Sequence, residues 1–102
     1  MAKVTEPVVK DLDALQGIVP EVIVESVRFT PDSYGGSACF KVRIGTDRST
    51  MNVGWVKPGT KSGAWFYQTP WVGGPLGWST KAVTILTAVK RMWTAAGQVR
   101  IS

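Results

Sequence analysis

Cations and flat aromatic rings crowd the last 55 residues of this chain, and no carboxylate interrupts them. From Arg48 to Ser102 there are seven basic residues, Arg48, Lys57, Lys61, Lys81, Lys90, Arg91 and Arg100. All five tryptophans, Trp55, Trp65, Trp71, Trp78 and Trp93, lie in the same stretch with Phe66 and Tyr67. A surface with cations and no anions attracts polyanions, and rings set among the cations can stack on bases. This pairing is the expected footprint of a protein that holds single-stranded nucleic acid.

Other chemistries lack their residues. There is no histidine, so the usual general base, proton shuttle and zinc ligand are missing. The single cysteine, Cys39, allows neither an intrachain disulfide nor a common structural zinc site. The four Asp and three Glu are scattered over the first 47 residues without the spacing of a catalytic pair. Gly73, Gly74 and Gly77 are not followed by the Lys-Ser/Thr of a phosphate-binding loop. No enzyme, cofactor or metal is therefore expected.

The charge is divided along the chain. Residues 1–25 set Lys3 and Lys10 against Glu6, Asp11, Asp13, Glu21 and Glu25, a net of −3. Residues 26–102 set ten basic residues against Asp32 and Asp47, a net of +8. We read residues 1–17 as a short acidic helix or arm and residues 18–102 as one α+β domain. The N-terminus shows no apolar leader and no run approaches the ~18 apolar residues of a membrane span, so a cytoplasmic protein without a membrane partner is expected.

The elements that must position the charged and aromatic residues follow from patterning. Val8, Leu12 and Leu15, with Pro7 in the first turn and Gly17 as a stop, predict a helix over 5–16 that docks on the body or on a neighbouring subunit. Val22–Thr30 is β-branched and reads as a strand, and Pro31–Gly36 reads as a turn. Ala38, Phe40, Val42 and Ile44 alternate with Cys39, Lys41 and Arg43, which predicts a half-buried strand presenting Lys41 and Arg43 about 7 Å apart. A hairpin turn over 45–49 leads to a strand over 50–57. There Met51, Val53 and Trp55 share one parity, and Asn52 and Gly54 share the other. Residues 64–71 form a fourth strand, with Phe66 inward and Trp65 and Tyr67 outward. A Gly/Pro loop follows between Trp71 and Trp78. The last helix is predicted over 80–96, capped by Ser79 and ended by Gly97, with Ala82, Ile85, Leu86, Val89, Met92, Trp93 and Ala96 on its apolar face. Gln98–Ser102 is expected to be a tail or an added edge strand.

The fold class is thus α+β. We expect a curved antiparallel sheet of about four strands, a C-terminal helix packed across one face and a short N-terminal helix. The predicted function is non-enzymatic binding of single-stranded DNA or RNA with little sequence specificity. Lys41, Arg43, Arg48, Lys57 and Lys61 would meet phosphates, and Trp55, Trp65, Tyr67 and Trp71 would meet bases. The alternative is an assembly subunit whose aromatics are buried in a homo-oligomer or a partner interface. A homo-oligomer fits either reading.

Overall fold

Period-two patterning builds the centre of the molecule. In the computed structural model, which describes residues 6–34, 36–45, 49–70 and 77–101, four antiparallel strands follow one another in the sheet in chain order. They are β1 (Ser26–Tyr34), β2 (Ser37–Gly45), β3 (Thr50–Pro58) and β4 (Trp65–Gln68). A 3-10 turn at Leu12–Leu15 precedes them, and the helix α1 (Ile85–Ile101) follows. The α+β class and the antiparallel sheet stand as expected. The predicted turn at 45–49 and the loop between the tryptophans fall largely on residues outside those described.

β1 begins and ends later than its β-branched composition suggests. Pro31–Tyr34 is not a turn but the second half of the strand, because Asp32 pairs with Cys39 and Tyr34 with Ser37. Pro31 is tolerated because β1 ends the sheet, where a missing N–H breaks no second ladder.

β3 contains one residue too many for its partner. Val42 pairs with Gly54, but Arg43 pairs with Asn52, so Val53 has no opposite number. Gly54 adopts φ 144°, and its N–H donates to Asn52 Oδ1 at 3.1 Å. A Cβ on Gly54 would collide with the Gln68 carbonyl oxygen and lie 2.9 Å from Met92 Sδ. Only glycine meets both demands. The insertion is a β-bulge, and it reverses the facing of every residue on one side of it relative to strict alternation.

One sheet face and α1 share a core. Phe29, Phe40, Val42, Ile44, Val53 and Val56 are buried in one cluster with Ala88, Val89, Met92, Trp93 and Ala96. The N-terminal segment joins it through Leu15, Val19 and Val24. Trp93 is fully buried, and its Nε1 donates to the Leu15 carbonyl at 3.1 Å, so the indole N–H is satisfied where water cannot reach it. Gln16 closes the intervening loop: its Nε2 donates to the Val24 carbonyl at 2.6 Å, and its Oε1 accepts from the Val24 N–H at 3.3 Å.

Both helix predictions need correction. A single 3-10 turn, capped by Asp11 accepting from Ala14 N–H, stands where the helix over 5–16 was expected. Its docking is on the body, through Leu15. The last helix starts five residues late and runs on to Ile101. Residues 79–83 are drawn to the edge of β4 instead: Ser79 N–H donates to the Tyr67 carbonyl at 2.8 Å, and Trp65 and Val83 exchange backbone bonds of 2.7 and 2.9 Å. Thr84, not Ser79, caps the helix by accepting from Thr87 N–H. Gly97 does not end it. A Cβ there would press on Val19 Cγ2 at 3.1 Å, so the glycine admits the N-terminal segment to the helix surface.

Candidate nucleic-acid interface

The face of the sheet away from the core is assembled from alternate residues of the same strands. Residues paired across antiparallel strands share a face. Register therefore sets Arg28 beside Arg43 and Asn52, and Thr30 beside Lys41, Trp55 and Gln68. It also sets Asp32 beside Cys39, and Lys57 beside Phe66. Within the four strands this face holds Arg28, Lys41, Arg43 and Lys57, with Asp32 as its one carboxylate. Arg28 and Arg43 are exposed; Lys41, Trp55, Lys57 and Phe66 are half-buried.

Trp55 reaches this face because of the bulge. Counted by parity it would join Met51 and Val53; the extra residue turns it to the other side, opposite Lys41. Its Nε1 donates to Asp32 Oδ2 at 3.0 Å. Asp32 is on β1 and Trp55 is on β3, with β2 between them. The indole must therefore extend across β2.

Asp32 anchors that ring. Its Oδ1 accepts from Ser33 N–H at 2.8 Å, and Lys41 Nζ lies 3.9 Å from Oδ2. The Ser33 bond first and the Trp55 bond second hold the carboxyl below its ordinary range; desolvation opposes them, and the Lys41 charge adds the smallest lowering effect. It is ionised at neutral pH.

A second aromatic group lies toward β4. The Lys57 ammonium sits 4.6 Å from the centre of the Trp78 ring and 5.8 Å from that of Phe66. Such a contact fixes the cation by attraction to the ring quadrupole while leaving its other sides free to meet an anion. Next to Trp55, Gln68 is buried, and neither its Nε2 nor the neighbouring Thr69 Oγ1 meets a hydrogen-bond partner among the described residues.

The structure sorts the residues singled out from sequence into three groups. Lys41, Arg43, Trp55 and Lys57 share the outward face, and Lys61 is exposed in the loop between β3 and β4. Trp65 and Tyr67 are on the opposite face, which corrects the expected orientation of β4: Pro58 pairs with Trp65 and Val56 with Tyr67, so both rings join the core side, and Phe66 turns outward. Trp65 packs edge-on to Phe40 at 6.2 Å, and Tyr67 Oη accepts from Arg91 Nη1 at 3.2 Å. Arg48 and Trp71 lie outside the described residues. Gly54, paired with Val42 on the core side, faces Met92.

Sequence reasoning passed over Arg28, Asn52, Phe66 and Trp78 as site residues. Arg28 was within reach: the register that pairs Tyr34 with Ser37 puts it opposite Arg43. Among the described residues no group of three or more His, Cys, Asp or Glu side chains could hold a metal ion, and no helix is long and apolar enough to cross a membrane. No family model, characterised protein or solved structure matches this chain.

Proposed function

We propose that this protein is a non-enzymatic binder of single-stranded DNA or RNA, and that the strand lies on the outward sheet face. One observation carries the reading: an indole laid across β2 on the face that gathers every cation of the strands. Arg28, Lys41, Arg43 and Lys57 would neutralise phosphates. Trp55, with Phe66 and Trp78, would offer π-faces to bases, each contact contributing about 1–3 kcal/mol. Arg28 and Arg43 are directly opposed across β1 and β2. Trp65 and Tyr67 have no part in this track.

The track is continuous if the sheet is curved and α1 covers only its other face. Met92 close to Gly54 and Arg91 bonded to Tyr67 both support that arrangement.

Titrating a labelled thymine oligomer with the protein, at low and at moderate salt, tests the proposal. Anisotropy and tryptophan emission are followed together, with a duplex of equal length as control. Binding with quenching, preference over the duplex and a log K against log salt slope of about −2.8 for four phosphate contacts is expected. No binding at low salt overturns it.

A second reading, an assembly subunit, is favoured by Val8 and Ile23, which are 65% and 66% exposed on the N-terminal segment. Light scattering across a concentration series tests it; a monomer at every concentration rejects self-assembly. Pro31 in β1 argues against pairing of two sheets edge to edge.

A further inference from the structure

The bulge in β3 also fixes the side-chain amide of Asn52. An amide on a sheet face ordinarily turns about its last torsion and offers either end to solvent. Here the oxygen end is taken, because Asn52 Oδ1 accepts from the Gly54 N–H at 3.1 Å. Half a turn of the amide would set its NH2 group against that N–H, donor facing donor, so the backbone decides which end is which. Nδ2, with two N–H donors, is left at the other end. Asn52 is half-buried, but Nδ2 is not sealed from solvent, and it meets no acceptor among the described residues.

Arg43 is the cross-strand partner of Asn52 on the same face. It is exposed, and it too meets no acceptor among the described residues. Asp32, the face's one carboxylate, lies opposite Cys39, about 14 Å along β2 from Arg43 at ordinary strand spacing. A directed amide and a guanidinium fork therefore stand side by side as donors, with no acceptor between them. A phosphodiester answers such a pair: it has two non-bridging oxygens, one negative charge and no donor.

We propose that Asn52 and Arg43 form a phosphodiester-anchoring site at the bulge, with Asn52 Nδ2 donating to one non-bridging oxygen and the Arg43 guanidinium to the other. This rests on the reading of the outward face as a single-strand interface, and it adds the residue that sets where one phosphate lies. The two side chains act differently. Arg43 brings charge, and with it a share of the salt dependence. The neutral amide displaces no counterion, so its contribution persists as salt rises.

Asn52 is the only asparagine in the chain, so heavy-nitrogen labelling of asparagine gives the full-length protein a single side-chain NH2 signal by nuclear magnetic resonance. The probes are a thymine oligomer, an abasic oligomer of equal length and inorganic phosphate. Both oligomers are expected to move the NH2 protons downfield, and inorganic phosphate to move them less. A shift with the thymine oligomer but not with saturating abasic oligomer would reveal a base contact and overturn the phosphate assignment. A shift with inorganic phosphate alone would mark an adventitious ion only and overturn the strand contact.

Asn52→Ser keeps an oxygen for the Gly54 N–H and removes the amide donors. It is expected to weaken thymine-oligomer binding about two- to tenfold at every salt concentration, with an unchanged salt slope. Arg43→Gln is expected to weaken binding and to lower the slope by about 0.7. An equal loss of slope in both variants would overturn the separate role of the amide. The NH2 signal is read on the unsubstituted chain, so that test stands even if a variant folds poorly. An unmoved signal on an oligomer that binds overturns the site and leaves the proposed function intact. No binding of any oligomer overturns both.

Discussion

The two faces of the sheet are made by the same strands from alternate residues, yet they use aromatic rings for opposite ends. On the core face, Trp65 meets Phe40 and Tyr67 meets Arg91 of the helix, and Trp93 lies fully enclosed with its N–H bonded to a backbone carbonyl. On the outward face Trp55 is strapped to a surface carboxylate, and Phe66 and Trp78 flank a lysine. An indole N–H needs a partner wherever it is buried, but the partner differs: a carbonyl fixed by the fold inside, a carboxylate open to solvent outside. The residue type does not tell the two apart; the partner does.

Substitutions at each face should separate stability from binding. The largest effect is expected for Trp93→Ala, which empties the centre of the core and frees the Leu15 carbonyl. We expect a loss of about 3–5 kcal/mol, read by urea denaturation followed by far-UV circular dichroism. A loss under about 1 kcal/mol would show that the N-terminal segment contributes little there.

Next is Gly54→Ala, which attacks the bulge that turns Trp55 outward. A side chain at φ 144°, against the Gln68 carbonyl and Met92, should cost at least about 1–3 kcal/mol by the same measurement. Wild-type stability in this variant would argue that the bulge is not required.

The sharpest contrast is Trp55→Ala beside Trp65→Ala. The first should weaken oligomer binding by about 1–3 kcal/mol with little change in stability. The second should lower stability by about 1–3 kcal/mol and leave the affinity of the folded protein unchanged. If Trp65→Ala lost binding and kept stability, the assignment of faces would be reversed.

The smallest effect is a pH dependence. The Asp32 carboxyl is depressed in the folded state, so its contribution is present above the unfolded value and is lost as pH falls through the lower, folded one. Trp55 emission should therefore hold steady at neutral and mildly acidic pH and change below about pH 4. Asp32→Asn should remove that change; a transition near pH 6 would point to some other group.

Much of this arrangement was legible in the sequence. The alternation of Ala38, Phe40, Val42 and Ile44 against Lys41 and Arg43 fixed both faces of β2, and charge alone marked the outward one. β4 was harder because Trp65, Phe66 and Tyr67 put rings on both parities, so hydrophobicity offered no choice of side. β3 misled because strict alternation carries no mark for an inserted residue; Gly54 was the one hint, and it admits a ligand as well as a helix. The start of α1 was obscured by two good caps, Ser79 and Thr84. The choice between them depends on the open edge of β4, which no local pattern displays.

The bond between Trp55 and Asp32 ties the first strand to the third over the top of the second. It closes near the end of β1 that leads into β2. A ligand that holds the indole in place thereby holds the end of β1, four residues of which precede the reversal. Occupancy of the outer face would then be recorded in the exchange of amide protons at Asp32–Tyr34 and at Ser37–Phe40 across from them, where no ligand atom need touch the backbone.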